Sequence, residues 1–230
     1  MQPVPEVRPV RTGGVPVMRI TVNGAAAEVP EGLTVLEAAR RAGADIPTLC
    51  HLKGVCDVGA CRVCVVEVEG AERLVPACTT RAFDGMVVST ATARVLAARR
   101  TNVQLLLSMH DGKCLTCPRN GTCELQKLAQ KTWADEPPPF PKKLTNEVWR
   151  DPAPIVRTPR RCVLCLRCVR ACEKELGPGR GVWELLDAGR RAHVGVRGGR
   201  TLEEAGCTLC NKCVQACPTG ALTLASVPSR

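Results

Sequence analysis

The chain has 230 residues, 16 of them Cys, and 32 Lys and Arg against 22 Asp and Glu give a formal charge of +10. No stretch reaches 18 consecutive apolar residues and the first 14 carry no apolar run, so neither membrane insertion nor a secretory signal is expected. Without export, the thiols point to metal or redox chemistry in a reducing, cytoplasmic setting rather than to disulfides. The positive charge lacks a Lys/Arg block with interleaved aromatics for base stacking, so no nucleic-acid partner is expected.

Residues 1–16 read as a Pro-containing N-terminal extension. Val17 to Val22 reads as a strand, Asn23-Gly24 as a two-residue hairpin turn and Ala25 to Val29 as the return strand. Thr34-Val35-Leu36-Glu37 is a capping box, and Gly43 ends the Ala/Arg run behind it, which predicts a helix of about two turns. Val63 to Val68 and Met86 to Thr90 read as further strands, so a β-rich domain is expected over 17–92. Ala93 to Met109 has the apolar spacing of an amphipathic helix, and Glu124 to Lys131 that of a shorter one. They frame a second segment over 93–135. A Pro-rich connector, including Pro137-Pro138-Pro139 and Pro141, is expected over 136–158. The last segment, 159–230, carries a duplicated Cys motif.

That duplication is the strongest signal. Cys162-x2-Cys165-x2-Cys168-x3-Cys172 recurs as Cys207-x2-Cys210-x2-Cys213-x3-Cys217-Pro218. This is the spacing of a bacterial ferredoxin with two [4Fe–4S] clusters, in which the fourth Cys of each run ligates the other cluster. One cluster is therefore assigned to Cys162, Cys165, Cys168 and Cys217, the other to Cys172, Cys207, Cys210 and Cys213. Structural zinc usually takes two separated Cys pairs instead. Glu173 rather than Pro follows Cys172, and the long spacer between the runs leaves room for a hairpin around Gly177 to Val196.

Cys50, Cys56, Cys61, Cys64 and Cys78 are one Cys more than a [2Fe–2S] cluster needs. Cys56-x4-Cys61-x2-Cys64 copies the plant-type spacing. Cys50, Cys61, Cys64 and Cys78 make a longer-loop version, which begins just after the first helix. Gly59-Ala60 would let the backbone approach the sulfides. Cys50 is favoured, with Cys56 a spare buried thiol. The third group, His110-x3-Cys114-x2-Cys117-x5-Cys123, is one thiol short of a cubane, and His110 lies at the right distance to complete it. The expected inventory is one [2Fe–2S] and three [4Fe–4S] clusters. Fifteen ligated thiolates, set against four cationic cores, would remove most of the +10. The cores would also do the holding that five aromatic side chains cannot.

This order of clusters resembles the diaphorase-side iron–sulfur subunit of NAD(P)-linked hydrogenases. It also resembles the related regions of [FeFe]-hydrogenases and of the complex I large iron–sulfur subunit. The residues that carry the resemblance are Ile46-Pro47-Thr48-Leu49-Cys50-His51-Leu52, Asp57 through Cys64, Pro76-Ala77-Cys78-Thr79, Asn120 through Gln126 and Arg161 through Cys172. The resemblance implies an α+β fold: a β-grasp [2Fe–2S] domain, a small helical His/Cys3 [4Fe–4S] domain and a two-[4Fe–4S] ferredoxin domain. It also implies a hetero-oligomer, in which electrons pass between a flavin- and NAD(P)H-binding diaphorase subunit and a hydrogenase catalytic subunit (small/large), bifurcating or not. The sequence given shows no Walker A motif, and Gly177-Pro178-Gly179-Arg180-Gly181 is no dinucleotide fingerprint. An electron-transfer subunit without a substrate site of its own is therefore expected. The same role in an NAD-dependent formate dehydrogenase, a stand-alone ferredoxin-like carrier and a zinc-containing basic binding module remain alternatives.

Overall fold

The computed structural model describes residues 16–134 and 151–225. Nearly all of the expected extension (1–16) and most of the expected connector (136–158) lie outside the described residues. The chain forms two compact units: residues up to Pro47 with Cys64–Ala98, and Thr48–Val63 with the chain from Arg99 onward.

The first unit holds a five-stranded mixed sheet of order β2-β1-β5-β3-β4. Its strands are β1 (Val17–Val22), β2 (Ala25–Pro30), β3 (Val65–Val68), β4 (Val75–Pro76) and β5 (Met86–Ser89). Along β1 the side chains of Met18, Ile20 and Val22 alternate into the core, which fixes the face and the register Met18↔Val29. Asn23 and Gly24 both take positive φ, 52° and 83°, as the tight hairpin requires. Asn23 also accepts from the Thr90 N–H at 2.8 Å and so ties the turn to the end of β5. Helix α1 (Val35–Arg41) starts on the expected box: Thr34 Oγ1 accepts from the Glu37 N–H, and Glu37 Oε2 accepts from the Thr34 N–H. Its Leu36, Ala38 and Ala39 are fully buried beside Val66 and Val88. Burying a large apolar side chain such as Leu36 contributes about 1.5–3 kcal/mol.

Strand β3 begins at Val65 rather than Val63, because Arg62 turns left-handed (φ 55°) and the chain is still turning at Cys64. Two-residue β4 carries no alternation to read. Helix α2 (Ala93–Ser108) matches the expected span within one residue.

In the second unit, α3 (Glu124–Thr132) buries Leu125 and Leu128. Strands β6 (Ile155–Arg157) and β9 (Leu222–Leu224) pair antiparallel and bracket the duplicated motif. Helix α4 (Arg167–Leu176) carries Cys168 and Cys172 of the first run, and α5 (Lys212–Ala216) carries Cys213 of the second. The spacer between them folds as the expected hairpin, β7 (Trp183–Leu186) against β8 (His193–Val196). One core gathers Leu49, Val63, Val103, Leu106, Leu125 and Val163, and a second gathers Ile155, Trp183, Val194, Val196, Leu202 and Leu222. No helix among the described residues is long and apolar enough to cross a membrane.

Candidate metal centres

All sixteen Cys lie among the described residues, and none is in a disulfide. The two C-terminal runs have the same backbone. Leu164 and Leu166 are left-handed in the first (φ 54° and 61°), and Leu209 and Asn211 in the second (φ 55° and 58°). For L-residues other than Gly this costs about 1–2 kcal/mol apiece, so the surroundings must enforce it. Alternating hand turns successive N–H groups inward into an anion-binding concavity, a device used around iron–sulfur clusters.

Each run curls around a cavity. Cys162, Cys165, Cys168 and Cys217 line one of about 420 Å³, counted out to its mouth, together with Arg157, Leu166 and Thr219. Cys172, Cys207, Cys210 and Cys213 line another of about 290 Å³, beside Val182 and Trp183. The fourth Cys of each run thus faces the other run's cavity. Burial pushes the Cys168 and Cys165 thiols well up, and the Cys213 thiol up to about 11. Such thiols become stable thiolates only beside a compensating cation, so loading a core releases protons. Two donors reach the second set: the Val182 N–H bonds Cys172 Sγ at 3.2 Å, and the Trp183 side chain bonds Cys213.

His110 is buried, and its Nε2 has no hydrogen-bond partner among the described residues. Its Nδ1 accepts from the Gly112 N–H at 3.1 Å and lies 3.5 Å from Asp111 Oδ1. Burial holds the imidazole pKa below its ordinary value, which favours the neutral form that ligates metals. With Nε2 on a metal and the proton on Nδ1, the Asp111 carboxylate would take over as the partner of Nδ1 in place of the Gly112 N–H, a common arrangement behind metal-bound His. Cys123 is the N-cap of α3, and Cys114 and Cys117 lie within electrostatic reach of it. A Cβ added to Gly220 would lie 2.5 Å from Cys117 Sγ. Only a glycine lets the turn after Cys217 approach this sulfur so closely.

Of the five N-terminal thiols, Cys50 and Cys61 belong to the second unit, Cys64 and Cys78 to the first. The Cys50 N–H points at Cys61 Sγ (3.4 Å), and a hydrogen bond between the two side chains raises the Cys61 thiol. Cys64 and Cys78 are buried in the first unit's core, where the Ala77 N–H bonds the Cys64 carbonyl at 3.2 Å. Cys56 is buried in a turn closed by two backbone bonds to Leu52, and its Sγ lies 3.8 Å from the Cys165 carbonyl oxygen. Among the described residues, no three His, Cys, Asp or Glu side chains gather closely enough to hold one metal ion. The donor chemistry, the two Cys-lined cavities and the unpartnered His110 Nε2 fit iron–sulfur clusters.

Sequence reasoning missed Arg167. Its side chain is 5% exposed and pairs with both carboxylate oxygens of Glu124 at 2.7 and 2.9 Å, and it also donates to the His51 carbonyl at 3.0 Å. A basic residue inside a two-residue Cys spacer carries no signal of burial. The donors Val182 and Trp183 were equally hidden, because only the folded hairpin brings them to sulfur.

Comparison with known proteins agrees with this chemistry. Residues 16–93 match a 2Fe-2S iron-sulfur cluster binding domain. Residues 99–138 match the NADH-ubiquinone oxidoreductase-G iron-sulfur binding region, and 201–223 a 4Fe-4S binding domain. The chain is 41% identical to the NADP-reducing hydrogenase subunit HndD of Solidesulfovibrio fructosivorans, over 89% of this chain and 36% of that protein. It is 33% identical to the mitochondrial NADH dehydrogenase (ubiquinone) iron-sulfur protein 1 of Solanum tuberosum, over 90% of this chain and 27% of that one. The chain therefore spans about a quarter to a third of these relatives' length. A chain of the crystal structure of an NAD+-reducing [NiFe]-hydrogenase in the H2-reduced state superposes with a TM-score of 0.79 at 28% identity, covering 91% of this chain and 88% of its own. The chain is a homologue of the iron–sulfur subunits of NAD(P)-linked hydrogenases and complex I-type oxidoreductases, with both 2Fe-2S and 4Fe-4S binding domains.

Proposed function

We propose that the chain relays electrons between a flavin- and NAD(P)H-binding diaphorase subunit and a hydrogenase catalytic subunit, through one [2Fe–2S] and three [4Fe–4S] clusters. The observation that carries this reading is the pair of cavities, each lined by three Cys of one run and the fourth of the other. Cys50, Cys61, Cys64 and Cys78 would hold the [2Fe–2S] cluster, and His110, Cys114, Cys117 and Cys123 one cubane. Cys162, Cys165, Cys168 and Cys217 would hold the second cubane, and Cys172, Cys207, Cys210 and Cys213 the third. When bound, each cluster takes up and passes on one electron, at a potential set by its ligands, hydrogen bonds and exposure. The chain's own groups set those terms. Val182 and Trp183 donate to thiolates, buried Arg157 lines the cavity of Cys168, and His110 replaces an anionic ligand by a neutral one. The hydrogenase setting is supported by the likeness to a chain of an NAD+-reducing [NiFe]-hydrogenase and by the 41% identity to an NADP-reducing hydrogenase subunit.

The test is purification of the native complex with flavin and metal analysis, followed by reduction with NADH or NADPH. Co-purifying flavin and a hydrogenase metal, with cluster reduction by the nucleotide, is expected. Molybdenum in place of a hydrogenase metal would move the chain to a formate dehydrogenase. A flavin-free monomer that reduces many acceptors would overturn the subunit reading.

A further inference from the structure

Arg167 precedes Cys168, Glu124 follows Cys123 and His51 follows Cys50. One buried guanidinium thus bonds, at 2.7–3.0 Å, to residues that adjoin proposed ligands of two other clusters, while its own neighbour ligates a third. All three residues belong to the second unit. Two of the guanidinium's bonds go to a carboxylate in a bidentate fork, which fixes orientation as well as charge. The surrounding side chains include the buried Cys56 thiol. We propose that the Arg167–Glu124 pair is a positioning hub: it locks the segments carrying Cys50, Cys123 and Cys168 together and poises their clusters with a balanced pair of charges. This rests on the cluster reading above.

The physical sense is directional. Reduction makes an already anionic cluster more negative. A nearby cation stabilises the reduced form and raises the potential, and a nearby carboxylate lowers it. In the pair the two effects largely cancel. Removing the cation leaves Glu124 uncompensated, and removing the carboxylate leaves Arg167 uncompensated. The two single variants must therefore shift potentials in opposite directions. A purely structural brace would loosen the same way whichever half was lost.

The experiment is an EPR-monitored redox titration of the holoprotein and its variants, with iron and sulfide measured on each preparation. Each signal is assigned beforehand by Cys→Ser variants at its site. Arg167→Gln should disfavour reduction of the Cys123 and Cys168 clusters by about tenfold in equilibrium constant, 59 mV for one electron. The [2Fe–2S] cluster should shift less in the same direction, and the Cys172/Cys207 cluster should hardly move. Glu124→Gln should shift the affected signals upward. The double variant should return toward the parent, and Arg167→Lys, which keeps the charge, should stay near it. If Arg167→Gln loses iron, Glu124→Gln alone decides, because Glu124 is half-exposed and its loss leaves the core packed. Shifts of the same sign in both single variants, equal shifts in all four signals, or no shift at full iron content would overturn the hub. Low iron in the parent protein would instead overturn the cluster reading beneath it.

Discussion

The two C-terminal Cys runs share spacing, left-handed turns and a helix behind each loop, yet their surroundings differ. In the first set, Cys165, Cys168 and Cys217 are buried, Arg157 lines the cavity and Arg167 opens α4 between Cys165 and Cys168. In the second, Cys207 and Cys210 are partly exposed, Leu209 reaches solvent, and two N–H donors come from the inserted hairpin. Buried arginines flank the first site, and the inserted hairpin adds N–H donors at the second. Under the cluster reading the duplicated motif would give two carriers that need not share a potential, because the groups around each run differ.

The largest effect that separates the two sites comes from crossing their ligands. Cys217→Ser should remove or convert the cluster of Cys162, Cys165 and Cys168, a loss of up to about four iron atoms per chain. Cys172→Ser should do the same to the cluster of Cys207, Cys210 and Cys213. Iron analysis with EPR reads both. Loss of the same-run cluster in either variant would break the crossed assignment.

Gly220→Ala should come next. Its methyl group would overlap Cys117 Sγ, and overpacking of this kind costs about 1–3 kcal/mol. The signal altered should be that of the His110 site, although Gly220 lies just after the second run. His110→Ala should alter the same signal and leave the [2Fe–2S] spectrum intact. An unaltered His110-site spectrum in both variants would separate that site from the ferredoxin fold.

Trp183→Phe removes a donor to Cys213 while keeping most of the buried ring. The potential of the second set should fall by the equivalent of about 1 kcal/mol, with the first set unmoved in the same titration. The smallest effect is at the matched left-handed positions. Asn tolerates this conformation better than Leu. Asn211→Leu should cost about 1 kcal/mol, seen as earlier thermal loss of the second cluster, and should bring that loop closer to the strain Leu166 already carries in the first.

The cysteines were legible because cluster ligation imposes fixed spacings on the chain, and the hairpin and α1 because Asn23-Gly24 and the Thr34–Glu37 box are local devices. The pairing of β6 with β9 was not, since two three-residue strands separated by some 65 residues carry no periodicity. Cys56 is read as a spare thiol because five Cys are one too many and the longer loop from Cys50 begins just after the first helix; all five thiols are buried, and Cys56→Ser should leave the [2Fe–2S] spectrum in place. Arg167 was invisible for the opposite reason. Its meaning lies in Glu124 and His51, which are distant in sequence, and charged side chains are rarely buried unless paired.

The most direct measurement is iron, acid-labile sulfide and zinc per chain in the anaerobically purified protein. About 14 iron atoms with matching sulfide and negligible zinc is the expected result for one [2Fe–2S] and three [4Fe–4S] clusters. Stoichiometric zinc with little sulfide would contradict the relay outright.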